Sequence, residues 1–474
     1  MLQGYPSKSR AATVAAAVLL LLLGAHVLRS HAPPVPRWRL ADGEAVIGGH
    51  VDIKDDPETL PCQKLPGAED VVVIMRTGAT EIQDKLPIHF NTTFRCYRDV
   101  LIFSDYAETF QGHEVHDALA AMDQDLKENN PDFELYMRLQ RHGRESLSED
   151  ELSGKASFEG SKSGKGENPG WKLDKWKFLP MMNETLNLRP DKKWFMFVES
   201  DSYPVWSNML QWLENVDPAK PHYFGSEVMI GPDIFAHGGS VFVMSKPAIE
   251  LGAQYYAERR QEWDLFTDGH WAGDCVLGKE LGEAGAPLEW SWPMFQGGHP
   301  EKMDFTEKKH NDRKLWCVPA LSYHHFSPTE LPRFWEFEQM WIQSRLDKVS
   351  AKDSRERRWS FWEDYSDVLE HRDVFREFVW PRIREGQAGF WNNLSPNIVE
   401  NTAGSSEDNC RRICEETPDC LQYASGREGC SMSNQQVMLG EKQDGYKSGW
   451  MLDRIEGWVA GLDNCAGFEG WTVS

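Results

Sequence analysis

Basic residues are scarce in this chain relative to acidic ones. Its 474 residues include 51 Lys and Arg against 74 Asp and Glu, which gives a formal net charge of −23. Proteins that grip nucleic-acid backbones need positively charged patches, so this balance argues against nucleic-acid binding. Disorder is also disfavoured, because hydrophobic residues make up 40% of the chain and aromatic residues 12%.

Several common catalytic motifs are missing as well. The chain has no Gly-x-Ser-x-Gly sequence, which argues against the nucleophile elbow of the α/β-hydrolases. The glycine-rich stretch 160–166 has the wrong spacing for a phosphate-binding P-loop, and His113 and His116 are too close for a zinc-protease helix. No paired cysteines with zinc-ligand spacing occur in the main body of the chain. The candidates for chemistry are therefore carboxylates and histidines.

One long apolar run lies near the N-terminus, at residues 11–28, with Lys8 and Arg10 before it. Eighteen residues are just enough to cross a thin bilayer and slightly many for a cleaved signal peptide. A proline-rich spacer follows, as in a stalk. We expect a single-pass type II membrane anchor with most of the chain in the lumen. Signal cleavage and secretion is the alternative.

The nine cysteines are spread unevenly. Four lie close together near the C-terminus, in a segment too small to be stable without disulfide bonds. We expect these four to pair with one another, although their spacing does not determine the connectivity. These four are Cys410, Cys414, Cys420 and Cys430. The other five are odd in number, so at least one is free or intermolecular, and a disulfide-linked homodimer is a minor prediction. They are Cys62, Cys96, Cys275, Cys317 and Cys465.

Three glycosylation sequons add to the evidence for the secretory pathway. They begin at Asn91, Asn183 and Asn393, the last weakened by a proline after its serine. The 20 tryptophans are an unusual number, and clustered Trp is used for cores, interfaces or platforms on which sugar rings stack. Five of them lie in residues 328–390, where core packing is the simpler role, while Trp171, Trp194 and Trp271 fall beside the site proposed below.

Apolar runs predict buried strands at residues 71–75, 100–103, 194–198 and 241–244. Helices are predicted at 171–188 and from about Lys246, and Val115, Leu119, Met122 and Leu126 recur at helical spacing. Strands that alternate with helices indicate an α/β fold with a largely parallel sheet.

Changes of composition divide the chain into six segments. They are a cytoplasmic tail (1–10), an anchor (11–28), a stem (29–69), the α/β domain (70–330), a helical aromatic-rich extension (331–394) and a small disulfide-rich α+β module (395–465).

The strongest candidate site is Glu199-Ser200-Asp201, directly after the strand predicted at 194–198. Open α/β sheets bind ligands beyond the carboxyl ends of their strands. A carboxylate there can hold a divalent cation that bridges two phosphates. A solvated acidic turn is the alternative.

Three further positions are candidates. Asp274 begins a predicted helix and suits a general base, although a helix cap is the commoner use. His324 and His325 are adjacent imidazoles that can bind a transition metal or lie in a core or surface. Gly238 and Gly239 precede a strand, where paired glycines permit either close backbone approach to a ligand or a tight turn.

Several segments, taken together in their chain order, are similar to those of a known protein family. These segments are Met75-Arg76-Thr77, residues 102–105, residues 170–177, Glu199-Ser200-Asp201, residues 238–240, residues 273–278 and Tyr323-His324. Over residues 70–330 the chain resembles glycosyltransferase family 31, most closely the fungal members related to Fringe and to core 1 β1,3-galactosyltransferase. The cysteine-rich tail separately resembles a PAN/Apple module.

The resemblance implies a GT-A fold, a UDP-sugar donor and Mn²⁺. It implies Asp201 and His324 as metal ligands, with His325 as an alternative to His324, and Asp274 as the general base. It further implies which residues contact the bound substrates. Those against the donor would be Arg76, Thr77, Asp105, Glu199 and Ser200. Gly238 and Gly239 would lie against either the donor or the acceptor. Lys175 and Lys177 would add positive charge near the diphosphate, but as helix residues they are expected to be solvated.

The implied activity is an inverting β1,3-glycosyl transfer, with galactose as the expected sugar. The acceptor would be a glycan or glycoprotein, such as one bearing N-acetylgalactosamine, and the location the Golgi membrane. One departure stands out, because animal relatives usually have aspartate where this chain has Glu199 and Ser200. Two alternatives follow: an inactive carbohydrate- or protein-binding member, and a chaperone-like partner of an active transferase.

Overall fold

The computed structural model describes residues 60–152, 168–309, 313–352, 361–364, 367–465 and 471. All of them belong to the second of two units into which the chain divides, Asp56–Ser474. The predicted anchor and most of the predicted stem lie outside the described residues. Within the described ranges, no helix combines the length and the apolarity needed to cross a membrane.

The described residues form 19 strands. They are β1 (Val71–Arg76), β2 (Val100–Ser104), β3 (Glu108–Phe110), β4 (His113–Asp117), β5 (Trp194–Glu199), β6 (Tyr203–Pro204), β7 (Tyr223–Gly225), β8 (Glu227–Ile230), β9 (Asp233–Ala236), β10 (Phe242–Ser245), β11 (Glu289–Trp290), β12 (Lys308–Lys309), β13 (Arg313–Lys314), β14 (Ser322–Tyr323), β15 (Gln387–Asn392), β16 (Asn397–Ile398), β17 (Gln422–Gly426), β18 (Gly429–Ser433) and β19 (Glu441–Trp450).

The described residues also form 15 α-helices. They are α1 (Ile82–Lys85), α2 (Pro87–Asn91), α3 (Gln124–Asn129), α4 (Glu134–His142), α5 (Pro169–Leu188), α6 (Trp206–Leu213), α7 (Lys246–Glu258), α8 (Arg260–Asp268), α9 (Gly273–Ala284), α10 (Leu331–Ala351), α11 (Phe361–Asp364), α12 (His371–Val374), α13 (Trp380–Ile383), α14 (Glu407–Glu416) and α15 (Leu452–Leu462). A π-helical turn, Phe375–Val379, joins α12 to α13. Short 3₁₀ helices are Pro61–Lys64, Ala68–Asp70, Thr93–Arg95, Pro131–Phe133, Arg144–Ser146, Pro300–Lys302 and Leu315–Cys317.

The central sheet has eight strands in the order β11-β7-β10-β5-β1-β2-β4-β3. Its middle is parallel, because β1 pairs in parallel with β2 and β5, and β2 with β4. Strand β10 runs antiparallel to β5 and β7. The four strands predicted from apolar runs are all present in this sheet, and the mixed, parallel-rich α/β fold is confirmed. The carboxyl ends of β1, β2 and β5 meet at one edge.

Layers on both faces bury the centre of the sheet. Every residue of β1 is buried. Val72 and Ile74 pack in one cluster with Phe178 of α5 and Leu281 of α9. Val73 points to the opposite face, since side chains alternate along a strand, and it is fully buried as well. Strands covered on both faces need continuous rather than alternating apolar sequence, which is why these strands are recognisable.

The long helix α10 is joined to the main domain by buried polar contacts. The carboxylate of Glu338 accepts hydrogen bonds from the Tyr203 hydroxyl at 2.6 Å and from the Ser207 amide at 2.9 Å. The Gln339 side chain accepts one from the Cys62 amide at 3.2 Å. This part of the predicted extension 331–394 therefore packs directly against the α/β domain.

The helix suggested by the spacing of Val115, Leu119, Met122 and Leu126 is wrong in its first half. Residues His113–Asp117 form β4 instead, and α3 begins only at Gln124. A short apolar pattern is compatible with either structure, and pairing of β4 with β2 decides in favour of the strand.

The C-terminal module is an antiparallel sheet of five strands, in the order β15-β19-β17-β18-β16, with α14 packed against it. Its first strand begins at Gln387, inside the range predicted as the helical extension. Disulfides Cys410–Cys430 and Cys414–Cys420 confirm that the four clustered cysteines pair internally.

The remaining cysteines form two long-range disulfides and one free thiol. Cys62 pairs with Cys96, and Cys317 pairs with Cys465. Cys275 is free and fully buried. All nine cysteines lie in the described residues, so the odd count is resolved by a buried thiol. The disulfide-linked homodimer therefore finds no support, because the one unpaired thiol cannot reach another chain.

One predicted sequon is closed by the fold. Asn393 is fully buried, and its amide nitrogen donates to the carbonyl oxygens of Tyr423 at 3.0 Å and Gly449 at 3.4 Å. Asn91, by contrast, is exposed at the end of α2. Glycosylation of the folded protein is thus possible at Asn91 and sterically excluded at Asn393.

Candidate functional site

A cleft of about 970 Å³ opens at the carboxyl edge of the central sheet. It is bordered by the residues that follow β1 and β5, the loop before β10, the start of α9 and the residues after β14. Eight of the predicted site residues line it: Arg76, Glu199, Ser200, Asp201, Gly238, Gly239, Asp274 and His324. Thr77 and Asp105 are instead buried next to it.

The centre of the cleft holds a group of potential metal ligands. The Nε2 atom of His324 lies 3.1 Å from Asp201 Oδ1 and 3.3 Å from Glu199 Oε2. Asp201, His324 and His325 each offer one ligand atom, and these atoms lie within 4.8 Å of one another. Carboxylate oxygen with imidazole nitrogen is a donor set that suits Mn²⁺ and related divalent ions. The residues present therefore fit the metal implied by the sequence resemblance.

The two glycines before β10 make this arrangement possible. A Cβ atom on Gly239 would lie 2.2 Å from Cε1 of His324, and one on Gly238 would lie 3.1 Å from Cβ of Asp274. Only residues without side chains fit at these positions. The glycine pair was expected to let a ligand approach the backbone closely. In the structure it also lets the side chains of His324 and Asp274 do so.

Lys85 supplies a positive charge that sequence reasoning missed. Its ammonium lies 2.9 Å from Glu81 Oε2 and 3.4 Å from Asp201 Oδ2. Burial alone would raise the pKa of Asp201, but Lys85 and His324 outweigh it and hold that pKa well below its usual value. Asp201 is therefore ionised at neutral pH, as a metal ligand must be. Lys85 lies on a short helix after the β1 loop and belongs to no motif that would have marked it.

Arg76 fixes the first acid of the triplet. Its guanidinium forms ion pairs with Asp174 and Glu199, and its central carbon lies 4.2 Å from the ring centroid of Phe178. One oxygen of Glu199 faces Arg76 while the other faces His324. The extra methylene of glutamate, relative to aspartate, thus connects Arg76 to the metal-ligand group. Asp174 is a second residue that sequence reasoning left unassigned.

Asp274 is held at the start of α9 with its carboxylate partly exposed to the cleft. Oδ2 accepts a hydrogen bond from the Gly238 amide at 2.8 Å, and Oδ1 accepts one from the Cys275 amide at 2.9 Å. Burial raises the pKa of Asp274, and the amide bonds only partly offset this effect. A carboxylate with a raised pKa is a better proton acceptor than an ordinary aspartate.

Lys177 is buried, so the prediction that it is solvated is wrong. Its ammonium donates to the Thr77 carbonyl oxygen at 2.9 Å and lies 3.2 Å from Asp105 Oδ2. Asp105 Oδ1 in turn accepts from the Ala79 amide at 2.8 Å. These three residues hold the loop after β1 in place, which gives Thr77 and Asp105 a positioning role at this edge.

Two tryptophans form one rim of the cleft. The rings of Trp171 and Trp271 stand nearly parallel, with centroids 6.4 Å apart, and Trp271 is 61% exposed. Trp194, which was also expected beside the site, is buried at the opposite end of β5. Four other tryptophans, all outside residues 328–390, are fully buried. They are Trp176, Trp206, Trp212 and Trp316.

The C-terminal module contributes a second wall that sequence reasoning missed entirely. Residues of β15 and β19 line the same cleft as Asp201 and Asp274. They are Trp391, Glu441, Lys442 and Asp444, together with Gly440 just before β19. No local signal in the sequence indicates this contact, because it joins segments far apart in the chain.

Comparison with known proteins adds little to this geometry. No protein-family model matches the chain, and no curated protein does so either. One weakly similar solved structure is described as a glycosyltransferase involved in the glycosylation of the major capsid of PBCV-1, at 12% identity and a TM-score of 0.24. The similarity covers 56% of this chain and 99% of that one. A TM-score this low establishes neither a shared fold nor a shared activity, so the functional assignment depends on the cleft itself.

Proposed function

We propose that this protein is an inverting glycosyltransferase that moves a sugar from a UDP-sugar to a hydroxyl group of a glycan or glycoprotein. Galactose is the first donor to test, with β1,3 linkage to an N-acetylgalactosaminide as the expected product, in the lumen of the Golgi. The observation that carries the proposal is the placement of a metal-ligand group, Asp201 with His324, and a separate carboxylate, Asp274, in one cleft.

Asp201 and His324 are the residues that would hold Mn²⁺, with His325 and Glu199 within reach of the same position. When bound, the ion supplies positive charge that stabilises the diphosphate leaving group. Lys85 neutralises part of the carboxylate charge on the other side of Asp201. Arg76 holds Glu199 in position.

Asp274 is the proposed general base. As the acceptor oxygen attacks the anomeric carbon, its proton passes to the Asp274 carboxylate, and the bond from that carbon to the diphosphate oxygen breaks. The sugar is thus transferred in one displacement with inversion, and no covalent enzyme intermediate is required. The amides of Gly238 and Cys275 hold the carboxylate in one orientation for this transfer.

The test is release of UDP from a panel of UDP-sugars by the purified protein, with and without Mn²⁺ and with a benzyl N-acetylgalactosaminide acceptor. We expect Asp201→Ala to lose Mn²⁺-dependent UDP binding, and Asp274→Asn to keep binding but lose transfer. Unchanged turnover in both variants would overturn the mechanism.

A carbohydrate-binding protein without turnover is the second candidate. The observation in its favour is the triplet Glu199-Ser200-Asp201, which departs from the all-aspartate triplet usual in animal relatives of the family that the sequence resembles. In that case UDP binding or glycoside binding would be measurable, but no donor would be consumed in the presence of any acceptor. A chaperone-like partner would instead co-purify with an active transferase.

A further inference from the structure

The wall that the C-terminal module adds to the cleft is connected to the metal-ligand group through one short segment of the chain. The backbone amide of His324 donates to the Gly298 carbonyl oxygen at 3.3 Å. Three residues further on, the Glu301 carbonyl oxygen accepts from the Gly440 amide at 2.7 Å, just before β19. A single segment, residues 298–302, therefore contacts the catalytic cleft at one end and the module at the other.

Trp391 is the principal side chain of this wall and is held rigidly. Its indole N–H donates to the Leu439 carbonyl oxygen at 2.6 Å. The guanidinium of Arg382 lies 4.8 Å from its ring centroid, and Arg382 is itself paired with Glu301. The ring is partly exposed and lines the cleft. A fixed, half-exposed indole offers the flat apolar surface on which the C–H face of a pyranose ring stacks.

The backbone next to Trp391 is irregular in a way that sets the position of the ring. In the pairing of β15 with β19, Gly389 lies opposite Lys447, and Trp391 lies opposite Lys442. Residues 443–446 of β19 therefore bulge opposite a single residue of β15. That one residue, Phe390, has a φ of 56°, which is strained for a bulky side chain. Bulges redirect side chains and are often retained for function.

The charges of this wall balance. Lys302 pairs with Glu441 at 2.5 Å, and Arg382 pairs with Glu301. The two further charged residues of β19 that line the cleft, Lys442 and Asp444, are opposite in sign. A surface with compensating charges and an aromatic platform suits a neutral, hydroxyl-rich ligand better than an anionic one. The cleft volume of about 970 Å³ lies at the large end of the usual range for ligand sites, which leaves room for a second substrate beside the donor.

We propose that the C-terminal module forms the acceptor half of the active-site cleft, binding a neutral pyranoside of the acceptor glycan against Trp391. The inference rests on the proposed glycosyl transfer and adds to it the place and the chemical class of the acceptor. The module is then a part of the active site that selects the acceptor, in addition to being a disulfide-stabilised appendage.

The test separates acceptor binding from donor binding in the full-length protein. UDP affinity is measured by calorimetry with Mn²⁺. Binding of benzyl glycosides of N-acetylgalactosamine, galactose, glucose and N-acetylglucosamine is measured by saturation-transfer NMR in the presence of UDP and Mn²⁺. The variants are Trp391→Ala and Trp391→Phe, with Ile398→Ala as the control, because Ile398 is an exposed apolar residue of the same module that does not line the cleft.

We expect Trp391→Ala to weaken binding of the preferred glycoside by about tenfold or more, a usual effect of removing a central tryptophan from a binding site, with UDP affinity unchanged. Trp391→Phe should retain most of the binding, because it keeps an aromatic face. Ile398→Ala should bind both ligands like the wild type.

Two outcomes would overturn the acceptor assignment and leave the proposed transferase function standing. In the first, Trp391→Ala binds glycosides as tightly as the wild-type protein does. In the second, the wild-type protein binds UDP but binds no glycoside. Glycoside binding that depends on Trp391 in a protein that does not bind UDP would support the acceptor assignment and overturn the transferase. Loss of UDP affinity together with glycoside affinity in both Trp391 variants would show a structural role for the ring and would also overturn the acceptor assignment.

Discussion

The imidazole of His324 occupies the space that a side chain on Gly239 would need. An ideal Cβ at Gly239 would lie 2.2 Å from Cε1 and 2.5 Å from Nε2 of that ring. The Nε2 atom is also the one that faces Asp201 at 3.1 Å. The absence of a side chain at Gly239 therefore decides whether the two proposed metal ligands can act together.

We accordingly predict that Gly239→Ala weakens Mn²⁺-dependent UDP binding by about 10- to 100-fold, the range seen when the support of a metal ligand is lost. Calorimetry with UDP and Mn²⁺ measures the effect. Gly282→Ala in α9 is the matched control, because a Cβ there meets nothing within 4 Å. The control should bind normally and gain up to about 1 kcal/mol of stability. Equal affinities in the two variants would contradict the assignment of His324.

The raised pKa of Asp274 predicts the acid side of the pH–rate profile. A general base acts only when deprotonated, so kcat/KM should fall with decreasing pH through an apparent pKa above the ordinary aspartate value of 3.8. Asp274→Asn should lower turnover by about 10²- to 10⁴-fold at neutral pH. Asp408→Asn, at an exposed carboxylate of the module, should leave the profile unchanged. A profile that is flat down to pH 4 would rule out Asp274 as the base.

Buried neutral histidines predict a loss of stability in mild acid. Burial lowers the pKa of His371 from 6.5 to about 3, and the ring is held between the Tyr323 hydroxyl and the Pro293 carbonyl oxygen. The unfolded chain takes up the proton at higher pH than the folded chain does, so stability falls as pH drops from 6.5 towards 3. By pH 5 this one residue accounts for about 2 kcal/mol.

Thermal melting at pH 7 and pH 5 measures this dependence. His371→Gln should melt lower at pH 7 but show a smaller drop between the two pH values. His142→Gln, at an exposed position, should keep the wild-type drop. An identical drop in both variants would mean that His371 is not a source of the acid sensitivity.

Glycan occupancy should follow the exposure of the sequons. In protein made through a secretory pathway, mass spectrometry of peptides should find a glycan at Asn91 and none at Asn393, whose amide nitrogen is already bonded inside the module. Asn91→Gln should remove one glycan mass without loss of the fold. A glycan on Asn393 in the folded protein would contradict the structure of this module.

The centre of the fold was predictable because its physical signal is local. A strand such as β1 is covered on both faces, so it requires an unbroken apolar run that is visible in the sequence. Where the same residues suit two structures, the prediction from the sequence was wrong. Val115 and Leu119 fit a helical period, but pairing with β2 places Val115 in a strand.

The candidate site was likewise predictable only where its signal in the sequence is local. The sequence predicted that Asp201 and Asp274 lie at the edge of the sheet, because one follows a strand and the other begins a helix, and both line the cleft. Lys177 was misjudged because a lysine on a helix is normally solvated, whereas here Asp105 and the Thr77 carbonyl oxygen bury it. Trp391 was missed because only tertiary packing brings it to the cleft.

The disulfide between Cys317 and Cys465 spans 148 residues and ends just beyond the last described helix. Synthesis from the N-terminus therefore delivers the strands of the central sheet long before this bond can form. His324 and then the walls made by β15 and β19 arrive later, and Cys465 arrives after all of them. A nascent chain thus carries an incomplete cleft throughout its elongation, and this bond can close only after every wall of the cleft has been synthesised.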